Sequence, residues 1–286
     1  MLNALEIHEL SKNYRDFTLD RVSMTLPEGC VMGLVGENGA GKTTVIKLIL
    51  GMLRRDGGEV RVLGQDMAAA GREAKEEIGV VLDEAGFPEC VTALQAGKIM
   101  AAAYKHWDAR AYADNLRKLS LPENKAFKEF SRGMKMKLSL AVALSHDAKL
   151  LILDEPTSGL DPVVRSEILD IFLEFISDGE RSILVSSHIT SDLERIADYI
   201  TFIHQGKVLL SENKDEILYG YGIAKAGREQ LHRVDRTLVA AIQDTPYGSE
   251  ALILDRERFE REYPDIVLDP VDFDEMMVLL CRGQKL

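Results

Sequence analysis

Residues 36–43 read Gly36-Glu37-Asn38-Gly39-Ala40-Gly41-Lys42-Thr43, and this stretch decides the fold. It follows the apolar run Val31-Met32-Gly33-Leu34-Val35 and leads into Thr44-Val45-Ile46-Lys47-Leu48-Ile49-Leu50, which reads as a helix. A strand, a loop and a helix with the spacing G-x-x-x-x-G-K-[ST] make a P-loop. Glycines let successive backbone N–H groups curl around phosphate oxygens where a Cβ would block the approach, and the following helix adds about half a positive charge at its N-terminus. The sequence therefore predicts that Lys42 reaches the β- and γ-phosphates of a nucleotide. The Thr43 hydroxyl joins the shell of a Mg²⁺ ion, and Gly36, Glu37, Asn38, Gly39, Ala40, Gly41 and Thr44 complete the cradle.

At 286 residues the chain is long enough for one large domain or a domain with an appendix. Charged residues make up 29% and hydrophobic ones 46%, the balance of a soluble globular protein. No apolar run approaches the roughly 18 residues of a bilayer span, and the opening Met1-Leu2-Asn3-Ala4 lacks the basic segment and apolar core of an export signal. The expectation is a cytoplasmic protein that works at a membrane only through a partner. Cys30, Cys90 and Cys281 lie far apart without metal-ligand spacing, so neither a disulfide framework nor a zinc site is expected. A formal net charge of −12 argues against broad nucleic-acid binding and against adhesion to anionic lipid.

Residues 3–10 and 17–26 alternate apolar and polar positions and read as strands joined by a turn at Asn13-Tyr14-Arg15-Asp16. Tyr14 is by default an ordinary turn aromatic; placed ahead of the P-loop, it can also stack on a nucleotide base. Asp56-Gly57-Gly58 is a turn signal before a short strand at 59–64. Ile78 to Leu82 form another apolar strand, followed at once by Asp83 and Glu84, which read equally as metal contacts at a strand's C-terminal edge or as a solvated pair. Segments 92–105, 108–120 and 131–145 then carry helical spacing, an all-helical block set into an α/β pattern; Lys105, His106 and Trp107 read as a solvated helix end with one anchoring aromatic.

Leu150-Leu151-Ile152-Leu153-Asp154-Glu155 is a central strand ending in two acids. Asp154 is suited to bind Mg²⁺ through water and Glu155 to orient and deprotonate an attacking water. In Ser158-Gly159-Leu160-Asp161-Pro162, Asp161 is positioned as the N-cap and Pro162 as the first residue of a helix over 162–176. The strand 181–188 ends on His188, which is either a satisfied structural histidine or a hydrogen-bond donor beside the γ-phosphate.

In this order, Tyr14, Gly36 to Thr43, Phe130-Ser131-Arg132-Gly133-Met134, Leu150 to Glu155, Ser158-Gly159-Leu160-Asp161 and His188 resemble the nucleotide-binding subunit of an ATP-binding cassette transporter over roughly residues 3–211. The resemblance implies an α/β P-loop cassette with a mostly parallel core sheet, an N-terminal antiparallel β subdomain and an inserted helical subdomain at about 88–146. A small C-terminal α+β appendix, residues 212–286, carries no chemical motif. It also implies that Ser131, Arg132 and Gly133 contact the γ-phosphate of ATP held by an opposite subunit, with Ser158 to Asp161 as the D-loop, Asp83 near Mg²⁺, and Glu155 and His188 catalytic. Two cassettes, identical or pseudo-symmetric, would close head to tail around two Mg·ATP and reopen on hydrolysis. Physically, the Ser131 hydroxyl, the Gly133 N–H and a helix N-terminus make a second anion receptor, useful only if another P-loop brings phosphate to it.

Two sites depart from the usual pattern. Arg132 and Met134 stand in place of a glycine and a glutamine, and Asp83 in place of a glutamine. The first change resembles the drug and bacteriocin export or self-resistance branch, whose ATPases pair with separate membrane subunits. An ATPase powering such export is the leading expectation. The alternatives are a cassette ATPase acting on nucleic acid or ribosomes, whose relatives usually carry two cassettes or a long coiled-coil insertion, and a nucleotide switch without turnover, which Glu155 speaks against.

Overall fold

The computed structural model describes residues 2–69, 73–83 and 86–284. The chain opens as a hairpin, β1 (Asn3–Asn13) and β2 (Thr18–Pro27), then turns inward as β3 (Val31–Val35) and crosses the glycine loop into α1 (Lys42–Ile49). β4 (Gly57–Val62) and β5 (Gln65–Asp66) complete an antiparallel sheet of order β2-β1-β4-β5. The short α2 (Glu73–Glu76) leads to β6 (Ile78–Val81), and the helical block follows as α3 (Ala93–Ala103), α4 (Ala109–Lys118) and α5 (Arg132–Ala143). Thr92, Asp108 and Ser131 start these three helices, each offering a side-chain oxygen to amides that have no partner within the helix. Tyr112, Leu116, Phe127 and Leu138 close a separate apolar core here, with Trp107 tilted against Tyr112 at 5.1 Å.

The second half supplies β7 (Leu150–Asp154), α6 (Pro162–Phe175), β8 (Ser182–Ser187), α7 (Thr190–Ile196), β9 (Tyr199–His204) and β10 (Lys207–Asn213). The central sheet runs β10-β9-β3-β8-β7-β6 and is parallel except for the β9–β10 pair. Every residue of β3, β7 and β8 is buried, as strands covered on both faces require. Alternate side chains serve different cores: Leu151 and Leu153 join Phe172 and Leu193, whereas Leu150 and Ile152 join Val45, Ile46 and the hairpin's Leu5 and Ile7. The register sets Val35 opposite Ser187 and Asp154 opposite Ser186. The segments following β3, β7 and β8 therefore leave the sheet at one level, on the C-terminal edge where open α/β sheets gather ligand-facing residues.

Beyond β10 come α8 (Lys214–Gly220), β11 (Gly222–Ala226), α9 (Arg228–Leu231), β12 (Val239–Thr245), β13 (Gly248–Ile253), α10 (Arg256–Glu262), β14 (Val267–Asp269) and α11 (Phe273–Arg282). The strands form an antiparallel sheet, β12-β13-β11-β14, and the expected boundary after residue 211 falls inside β10. This region is packed into the cassette: Ile217, Ile223, Leu252, Phe273 and Met276 belong to the same apolar core as Phe172 and Leu193. Phe273 meets Phe202 edge-on at 6.2 Å, and the Thr190 hydroxyl donates to Asp274 at 2.7 Å, joining α7 to α11. Truncating the fully buried Phe273 to alanine is expected to cost about 3–5 kcal/mol. Urea unfolding of the full chain should then shift as one transition; two separate transitions would contradict a shared core.

Candidate functional site

The glycine loop is shaped by what surrounds it. A Cβ on Gly36 would lie 2.4 Å from the Ile203 carbonyl oxygen, and one on Gly41, whose φ is +112°, 2.9 Å from the Phe17 ring. Only glycine fits either position. Helix α1 starts at Gly41 without a side-chain cap and without an acid in its first turn, so its positive end is open to an anion. Lys42 is buried; its ammonium donates to the carbonyls of Gly36 at 2.6 Å and Glu37 at 3.2 Å and lies 3.0 Å from Glu155 Oε1.

The two acids of β7 meet this loop as the register dictates. Asp154 Oδ2 accepts from the Thr43 hydroxyl at 2.8 Å, and its Oδ1 from the Ser186 hydroxyl at 2.6 Å. Ser186 Oγ in turn accepts from the Glu155 backbone N–H at 3.0 Å. Glu155 sits at φ +50°, a left-handed conformation that a non-glycine residue adopts at a cost of about 1–2 kcal/mol. His188 Nδ1 lies 2.7 Å from Glu155 Oε2; an ionised carboxylate only accepts, so Nδ1 carries the proton. Glu155 thus has one oxygen toward Lys42 and the other toward His188.

The resulting cleft, about 410 Å³, is lined by Glu37, Asn38, Gly39, Gly41, Lys42, Thr43, Thr44 and Glu155, together with Asp83 and Phe17. Sequence reading missed Phe17 as a cleft residue, although an aromatic three places after Tyr14 was the available signal. Tyr14 itself is half-exposed, its ring 6.3 Å from that of Phe17 and 5.8 Å from the Lys12 ammonium. Also missed were Ser186 and His204, whose Nδ1 lies 2.9 Å from Glu37 Oε1 on the P-loop. Burial, and then the charge of Glu37, push the Cys281 thiol up, so it stays a thiol at neutral pH.

The signature residues do not line this cleft. Ser131 caps α5, its hydroxyl accepting from the Met134 N–H at 3.2 Å, and Gly133 packs near Val164 and Leu160. Arg132 reaches Asp83, Nη2 to Oδ1 at 2.9 Å, while Glu84 lies outside the described residues. The segment after Glu155 turns through Gly159 at φ +66°, and Asp161 caps α6 by accepting from the Val163 and Val164 amides, both at 3.1 Å.

A parallel sheet with a P-loop, a paired Thr43–Asp154 and a Glu155–His188 couple at its C-terminal edge defines a nucleotide-hydrolysing cassette. The family described as ABC transporter matches residues 19–158. A lantibiotic transport ATP-binding protein of Streptococcus pyogenes, SrtF, is 36% identical over 74% of this chain and 91% of its own. The bacitracin transport ATP-binding protein BcrA of Enterococcus faecalis is 32% identical over 75% of this chain and 70% of its own. The ABC transporter ATP-binding protein YtrB of Bacillus subtilis is 30% identical over 98% of this chain and 99% of its own, so the likeness extends through the C-terminal region. Among solved structures, an ATP-binding subunit of an ABC transporter superposes with a TM-score of 0.68 at 28% identity, covering 76% of this chain and 92% of that one. The chain belongs to the ATP-binding family of ABC transporters, whose members bind and hydrolyse ATP.

If Phe17 contributes an aromatic face to the nucleotide, Phe17→Ala should weaken ATP binding about five- to tenfold. Tripolyphosphate affinity, measured by calorimetry on the same variant, should stay the same; an equal loss for both ligands would mean that Phe17 only shapes the loop.

Proposed function

We propose that this chain is the ATP-hydrolysing subunit of an export system, driving a peptide-like, drug or other hydrophobic compound through a separate membrane subunit by ATP-dependent closure of two cassettes. The observation that carries the reading is the arrangement of two half-sites that do not meet within one chain. The P-loop cleft can hold a triphosphate, whereas the Ser131–Gly133 helix start lies outside it and can take phosphate only from another cassette. Relatives named for lantibiotic and bacitracin transport support a peptide-like cargo. No helix among the described residues is long and apolar enough to cross a membrane, which fits a subunit docked on the inner membrane face by a permease. The acidic net charge of −12 supports neither a nucleic-acid nor a ribosome partner.

The mechanism follows from the residues. Lys42 exchanges its loop carbonyls for β- and γ-phosphate oxygens, and the loop amides with the α1 N-terminus take up the remaining charge. The Thr43 hydroxyl and the Asp154 carboxylate, 2.8 Å apart, are a hard-oxygen pair of the kind Mg²⁺ selects, with Asp83 able to approach through its Oδ2. The ion would supply charge neutralisation on the phosphate oxygens. Glu155 accepts the proton of the attacking water, and His188 holds the Glu155 carboxylate in place through Nδ1. Ser131, Arg132 and Gly133, with the D-loop Ser158 to Asp161, complete the opposite cassette's site. ATP binding then stabilises the closed pair through contacts that the open pair lacks.

Lys42→Ala should reduce ATP affinity by about a hundredfold or more, since it removes charge-assisted contacts to phosphate; equilibrium binding with a fluorescent ATP analogue measures this, and wild-type affinity would contradict the P-loop role. Glu155→Gln should lower kcat by about 10²–10⁴-fold while retaining ATP. In sedimentation with saturating Mg·ATP that variant should run as a dimer, and a monomer would refute the two-cassette site. Reconstitution tests the transport reading: a membrane protein should co-purify and alter the ATPase rate, and a rate indifferent to every membrane partner would refute it.

A further inference from the structure

Two of the three residues at which this chain departs from the usual cassette pattern, Arg132 and Asp83, are in contact. Arg132 Nη2 lies 2.9 Å from Asp83 Oδ1, joining the start of α5 to the segment after β6 across a sequence separation of 49 residues. Asp83 lines the P-loop cleft and also the neighbouring cleft formed with Arg132, Lys135 and Met136. The guanidinium also lies beside the D-loop: a Cβ on Gly159 would fall 2.8 Å from Arg132 Nη1, and φ is +66° there, a conformation that favours glycine.

Charge pairing around the cleft gives this contact its meaning. Glu155 is paired with Lys42, ring nitrogens of His188 and His204 lie against Glu155 and Glu37, and Asp154 accepts from two hydroxyls. Asp83 is the carboxylate whose countercharge comes from the helical subdomain. Left unpaired, it would face an incoming polyanion across a cleft whose one lysine is already shared, and like charges at such range repel.

We propose that Arg132 is a positioning residue for the chain's own nucleotide pocket: it neutralises Asp83, fixes that carboxylate at the cleft rim, and ties the rim to the signature helix and the Gly159 turn. This rests on the ATP site described above and adds a role in cis to the contact in trans that the signature position implies. Arginine at 132 and aspartate at 83 are then one compensated change, not two.

The test is steady-state ATP hydrolysis by the full chain as wild type, Arg132→Gln, Asp83→Gln and the double variant. Arg132→Gln should raise KM for Mg·ATP about three- to tenfold with a smaller change in kcat, and adding Asp83→Gln should bring KM back to within about twofold of wild type. Both side chains are about half exposed, 53% and 49%, so the variants should fold, and a charge-reversed pair, Asp83→Lys with Arg132→Glu, provides a second rescue. Additive losses in both double variants, or a fall in kcat alone for Arg132→Gln, would overturn the proposal and leave Arg132 acting only on the partner cassette's nucleotide. A wild-type chain without ATPase activity would overturn the site reading itself, a different result from failed rescue in an active enzyme.

Discussion

The Lys42 ammonium is almost wholly withdrawn from water, and a buried cation is tolerated only where its surroundings answer its charge and its three donors. Meeting that demand constrains three segments together. The loop must curl so that Gly36 and Glu37 present their carbonyls inward, at 2.6 and 3.2 Å. Strand β7 must end level with the loop so that Glu155 comes within 3.0 Å. Strand β8, lying between β3 and β7, must place Ser186 where its hydroxyl joins the Asp154 carboxylate to the Glu155 amide. The left-handed turn at Glu155 belongs to the same solution, because it brings the carboxylate back toward the sheet edge just after the strand has ended.

What was legible in the sequence was local. The glycine spacing, the aliphatic strand ending in two acids, the helical spacing over 92–105, 108–120 and 131–145 and the cap at Asp161 each act within a few residues of themselves, and the observed helices begin at or next to those places. The C-terminal region was read less completely. Gly222–Ala226 holds one residue of strong β preference, Ile223, among glycine, alanine and lysine, and Val267–Asp269 is only three residues long, so neither gives a periodic signal. Contacts between distant segments left no local trace: Ser186 to Asp154 spans 32 residues, Arg132 to Asp83 spans 49 and Thr190 to Asp274 spans 84. Each partner has an ordinary surface or strand identity until the topology brings the two together.

Helix α7 illustrates how such distant contacts govern the site. Asp192 is buried at 3% exposure and accepts from the Thr157 hydroxyl at 2.7 Å while pairing with Arg165. Removing either partner would leave a buried carboxylate short of compensation, a loss of about 1–3 kcal/mol for the hydrogen bond. Thr157 stands two residues after Glu155, Arg165 lies on α6, and Thr190, at the start of α7, is bonded to Asp274. The segment that begins with Glu155, the helix after Asp161 and the C-terminal region are thus tied to one short helix that begins two residues after His188. Displacing His188 by moving α7 would strain all three attachments at once, whereas rotating its side chain strains none. The backbone that presents His188 is therefore held by contacts far from the P-loop cleft.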